Sequence, residues 1–88
     1  MNFNIDDLKK KIIYRSAYRG TKEMDSLVSS FTNKYIDSFN TNELNDLSDM
    51  LDVDDLSLYN FNQNKKKSKK ILLNKVTLLF RDYNFEKK

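Results

Sequence analysis

The sequence predicts an all-α protein, a compact five-helix bundle in a single domain. Three observations lead there. Proline is absent and glycine occurs once in 88 residues, so little interrupts a helix from within. Apolar residues recur at three- and four-residue spacing in separate segments rather than alternating. The connectors between those segments are short and polar.

The elements follow in order. Ile5, Leu8 and Ile12 recur at i, i+3 and i+7, which predicts a first helix over about 6–18. Gly20 is expected to end it in the left-handed cap conformation. A lone glycine equally suits a point where another molecule comes too close for a side chain. Thr21 is placed to cap a second helix, with Glu23 and Asp25 in its first turn, where carboxylates favour the positive end of the helix dipole. Met24, Leu27, Val28, Phe31 and Tyr35 form the clearest apolar stripe of the chain and read as core. Asn40 precedes Glu43 at capping-box spacing, so a third helix starts there and turns Leu44, Leu47 and Leu51 inward. Asp54 and Asp55 open a short fourth helix carrying Leu58, Tyr59 and Phe61. Residues 62–68 read as a polar, lysine-rich loop. A fifth helix over about 68–83 is expected to place Leu72, Val76, Leu79, Phe80 and Tyr83 on one broad face. The single domain spans 1–88, with its core over about 6–83 and a C-terminus, 84–88, that frays. No internal repeat or domain boundary is visible.

Composition narrows the function. A chain this short buries only about 60–65% of the surface its unfolded form exposes, so modest stability is expected. It has no cysteine and no histidine. That removes disulfides, thiolate and imidazole metal sites, and the usual nucleophile and general base. No apolar run approaches the roughly 18–20 residues that span a bilayer. The N-terminal stretch carries Asp6 and Asp7 and lacks an apolar signal core. A bacterial cytoplasmic location is therefore expected, or the mitochondrial matrix for a eukaryotic source, without membrane insertion.

The net charge of +3 is unevenly spread. Between Tyr35 and Asn64 there is no Lys or Arg, and seven carboxylates (Asp37, Glu43, Asp46, Asp49, Asp52, Asp54 and Asp55) fall there. From Lys65 onward the chain is strongly basic. The carboxylates lack the spacing of a calcium loop and have no cofactor motif beside them, which favours a solvated helix face over catalysis. Lys65, Lys66, Lys67, Lys69 and Lys70 could meet phosphates, but no aromatics are interleaved and the neighbouring acidic stretch repels nucleic acid. A basic nucleic-acid-binding module is thus an alternative, and no nucleic-acid partner is expected.

The run Tyr14-Arg15-Ser16-Ala17-Tyr18-Arg19-Gly20-Thr21-Lys22-Glu23-Met24-Asp25 holds that single glycine between an arginine and a glutamate. Arg19 offers a planar fork for a carboxylate or carbonyl pair, and Arg15 lies one helical turn earlier. The run resembles the Arg-Gly-x-x-Glu signature of the SdhE-type flavinylation factors, the succinate dehydrogenase FAD assembly factors. Leu27, Val28 and Phe31 match the apolar helix that follows it, and the segment 50–61, Met-Leu-Asp-Val-Asp-Asp-Leu-Ser-Leu-Tyr-Asn-Phe, matches a second family motif without a gap. Phe61 stands where the family usually has Trp, Leu56 replaces a common Pro, Ser57 a common Asp, and Ser29 falls where near relatives often have Gly.

The resemblance implies a five-helix domain, not itself an enzyme. Such a domain binds the flavoprotein subunit of succinate dehydrogenase or fumarate reductase and promotes covalent attachment of FAD to it. Arg19, Gly20 and Glu23 would form the contact surface, flanked by Arg15, Tyr18 and Asp25. No tightly bound cofactor, no catalytic residue and a monomeric state are expected. An antitoxin-like protein that masks another small protein is the remaining alternative.

Overall fold

The computed structural model describes residues 4–84. Five helices follow one another: α1 (Ile5–Ala17), α2 (Lys22–Tyr35), α3 (Thr41–Leu51), α4 (Asp55–Asn64) and α5 (Lys75–Arg81), with a 3-10 turn at Ile36–Ser38 after α2. The chain folds as an all-α single domain.

Side-chain caps set most of the helix starts. Asn4 accepts from the Asp6 and Asp7 N–H groups at 3.0 and 3.4 Å, and Thr21 from that of Met24 at 3.2 Å. Asn40 and Glu43 form the expected capping box, both bonds 2.9 Å. Asp54 accepts from Ser57 N–H at 3.1 Å. Each satisfies backbone donors that a helix start leaves unpaired.

α1 packs on α2 and α3, while α5 packs on α3 and α4. Ile12, Val28, Phe31, Leu44, Leu47, Leu58, Val76 and Phe80 are fully buried between them. Phe31 stands at the centre, edge-on to Phe80 at 5.2 Å and to Tyr83 at 5.4 Å, and tilted against Tyr35 at 5.1 Å. These are the offset and edge-to-face arrangements that aromatic quadrupoles favour. No described helix is long and apolar enough to cross a membrane.

The structure differs from the sequence reading at three places. Gly20 does not adopt a left-handed conformation, and Lys65, at φ 54°, is the positive-φ residue among those described. α1 closes at Ala17 with Tyr18 as its C-cap, within a residue of the expected end, and the chain then brings the Arg19 N–H onto the Asp25 carboxylate. α4 runs on to Asn64, so Asn62 is helical and buried rather than in a loop. Its amide donates to the Phe80 and Tyr83 carbonyls at 2.7 and 2.8 Å, which makes a buried Asn tolerable. Finally, α5 starts at Lys75, not near 68. Asn74 and Thr77 cap it reciprocally at 2.9 Å, Ile71 turns inward in place of Leu72, and Leu72 stays 76% exposed. The expected fraying from 84 onward lies almost wholly outside the described residues.

Candidate functional site

The turn between α1 and α2 is built around Arg19. Its side chain is only 10% exposed. Nε donates to Asp55 Oδ1 at 2.8 Å, Nη1 to the Leu51 carbonyl at 2.7 Å, and Nη2 to the Val53 carbonyl at 2.8 Å. The acceptors all belong to 51–55, the joint between α3 and α4. A cation beside the last carbonyls of α3 and a carboxylate at the first residue of α4 both sit where the helix dipoles favour them. The planar fork spreads its N–H groups to two carbonyls and a carboxylate at once, a geometry that a compact ammonium does not offer.

Gly20 completes the arrangement. Its N–H donates to Asp55 Oδ2 at 2.7 Å, and a Cβ built on Gly20 would lie 2.8 Å from that same oxygen. The molecule that comes too close for a side chain is therefore the chain itself, through Asp55. One carboxylate is shared by the Arg19 guanidinium and the Gly20 amide, while Asp25 takes the Arg19 amide from the other side. Arg15 ties the end of α1 to the end of α3: it donates to Ser48 Oγ at 3.0 Å and to the Ser48 carbonyl at 3.4 Å, and pairs with Asp52. The Arg15–Asp52 pair is largely solvated, so its energetic weight is small.

The six expected site residues thus gather around one turn but divide by role. Arg19, Gly20 and Asp25 share a network with Asp55, and Arg15 braces it from one helical turn back. Tyr18 and Glu23 face solvent, Tyr18 at 69% exposure. Tyr14, 66% exposed, lies against Tyr18 with ring centroids 4.7 Å apart, and Ile13 is exposed beside them. An aromatic pair left in water on one helix end is the kind of amphipathic surface that anchors protein contacts. Sequence reasoning did not single out Tyr14 or Asp55. The i, i+4 spacing of Tyr14 and Tyr18 outside the apolar stripe of α1 was the available signal for the first. For Asp55 the signal was its place in the second motif, 50–61, but only the fold carries it 35 residues back to Gly20.

Three surface depressions, of about 110, 150 and 230 Å³, fall below the roughly 300–1,000 Å³ typical of small-molecule pockets. No glycine loop accompanies them to cradle a pyrophosphate.

The family described as "Flavinator of succinate dehydrogenase" matches residues 10–84. Among curated proteins, the chain is 34% identical over 56 residues to the mitochondrial succinate dehydrogenase assembly factor 2 of Debaryomyces hansenii, covering 64% of this chain and 39% of that protein. It is 35% identical over 51 residues to the protein of the same name from Meyerozyma guilliermondii, covering 58% of this chain and 38% of that one. The matched stretches thus span well under half of each relative. No solved structure matches the chain. With a match that takes in every helix from α2 to α5 and most of α1, the chain belongs to the family of succinate dehydrogenase flavinators.

Proposed function

We propose that this protein docks on the flavoprotein subunit of succinate dehydrogenase, or of the related fumarate reductase, and promotes covalent attachment of FAD to that subunit. The observation that carries the proposal is the Arg19–Gly20 turn, locked by Asp55 and set beside the exposed pair Tyr14 and Tyr18. The family match supports it. In this reading Tyr18, Glu23 and the bare edge of Gly20 touch the client together with Tyr14. Arg19, Asp25 and Arg15 act through them, by fixing the shape of the turn.

The protein offers the attachment reaction no histidine or cysteine, and its contribution is order. Binding one arrangement of the client ten times more tightly than the others requires about 1.4 kcal/mol of differential affinity. Holding reacting groups in a productive geometry then lowers the entropic part of the barrier. FAD is a substrate of the client, and no flavin site on this chain is needed. Action in the mitochondrial matrix or in a bacterial cytoplasm serves this role equally.

Co-expression with the client subunit, capture of the complex, and in-gel flavin fluorescence test the proposal. The Tyr18→Ala/Glu23→Ala variant is expected to melt within a few degrees of the parent, since both side chains are solvated. It should weaken client capture about 30-fold, the loss of roughly 2 kcal/mol that a central aromatic contact carries. Gly20→Arg should abolish capture while helical content persists. Full covalent flavin loading by both variants would refute the assignment.

A further inference from the structure

We propose that the loop between α4 and α5, residues 65–74, is a peripheral docking surface for an anionic lipid bilayer. This is independent of the client reading above. The loop presents two kinds of side chain together. Lys66, Lys67 and Lys69 are exposed and form no ion pair among the described residues, whereas Lys70 pairs with Asp54 at 3.0 Å. Leu72 and Leu73 are 76% and 54% exposed in the same loop, and Leu56 of α4 is 70% exposed. Leu72 borders a depression with Lys70, Asp46 and Asp49. Lys67 joins Leu56 and Leu73: it lines one shallow depression with Leu56 and Lys66, and a second with Leu73 and Arg81. Asp82 also borders the second, but its carboxylate is paired with Arg81 at 3.0 Å.

The loop is held in shape before any contact. Lys65 takes the left-handed conformation at the end of α4, and its ammonium donates to the Asn62 carbonyl at 2.8 Å and to that of Arg81. Lys66 N–H donates to the Asn60 carbonyl at 3.1 Å, Ile71 N–H to that of Ser68 at 3.2 Å, and the Ile71 side chain is buried. A preformed loop loses little conformational entropy on binding.

Unpaired lysines beside bare leucines suit a surface of lipid phosphates over hydrocarbon: the ammonium groups stay among headgroups while the leucines enter the acyl boundary. A nucleic acid would leave the leucines in water, and the exposed aromatics that could stack on bases, Tyr14 and Tyr18, belong to α1. Each lysine near an anionic surface adds about fivefold in partitioning, the equivalent of about 1 kcal/mol. Three therefore favour anionic over neutral vesicles on the order of 100-fold.

The test is flotation of the full chain with phosphatidylcholine vesicles, with and without phosphatidylserine. Binding is expected only with phosphatidylserine, lost in Lys66→Glu/Lys67→Glu/Lys69→Glu, and reduced several-fold in Leu56→Ser/Leu73→Ser. These side chains are exposed, and circular dichroism checks that the variants fold. The chain has no tryptophan, so Leu73→Trp supplies a single indole whose emission should shift to the blue on the anionic vesicles. Absence of binding, binding unchanged in the lysine variant or in the leucine variant, or an unshifted indole overturns the proposal. Tighter binding to duplex RNA than to the vesicles, indifferent to the leucines, overturns it in favour of a nucleic-acid surface.

Discussion

Replacing Gly20 by alanine probes the turn through a single methyl group. The new Cβ would sit 2.8 Å from Asp55 Oδ2, well inside an ordinary carbon–oxygen contact, so the carboxylate must withdraw. It cannot do so freely, because its two oxygens are held by Gly20 N–H at 2.7 Å and Arg19 Nε at 2.8 Å. Weakening or losing one hydrogen bond to a charged group costs about 1–3 kcal/mol. Against that, Gly20 has no positive φ, so alanine gains about 0.4–1 kcal/mol by restricting the unfolded chain. The net is a loss of about 1–2 kcal/mol, or roughly 5–15 °C in Tm for a domain of this size. Thermal melts followed by circular dichroism read it directly. The decisive comparison repeats Gly20→Ala in an Asp55→Ser background, whose shorter side chain no longer reaches residue 20. There the sign should reverse, and alanine should raise Tm by a few degrees. A rise in the parent protein, or an equal fall in both backgrounds, would show that Asp55 is not the reason for the glycine.

Two further outcomes follow from other positions. Hydrogen bonds from Lys70, and then from the Ser57 backbone, lower the Asp54 carboxyl from 3.8 to about 2. Because the folded value lies below the unfolded one, this group contributes stability that is complete above about pH 4 and is lost as pH falls through 2. Asp54→Asn keeps an N-cap and should flatten the fall of Tm across that window, and an unchanged acid limb would contradict the assignment. Thr32 is fully buried, and its hydroxyl has no partner among the described residues. Thr32→Val should therefore stabilise the fold by about 1 kcal/mol and raise Tm by roughly 4–8 °C, and a lower Tm would mean that the hydroxyl is satisfied.

Much of this architecture was legible in the sequence, for reasons that are local. The stripe Met24, Leu27, Val28 and Phe31 packs as its spacing requires, and Asn40 and Glu43 announce a helix start that the backbone adopts. What was not legible depended on residues distant in the chain. Leu72 fits a helical face by periodicity, yet capping by Asn74 starts α5 later and leaves that leucine in water. Asn62 looks like a loop residue until the carbonyls of Phe80 and Tyr83 arrive to accept from it. The Arg19–Gly20 turn was conspicuous as a motif, but its cause was hidden. The guanidinium fork is filled from within by Leu51, Val53 and Asp55 rather than offered to a partner, and no window of sequence around Gly20 contains them.

That internal filling limits how the signature can be borrowed. The groups that hold the Arg19 side chain lie 32 to 36 positions further along the chain, so its locked position is a product of the finished globule. A synthetic peptide copying residues 14–25 would reproduce every letter of the signature, and could keep the bond from Arg19 N–H to Asp25, but would leave the guanidinium without its acceptors. A mimic meant to displace the intact protein must also import the far strut, residues 51–55, or replace it with a covalent brace.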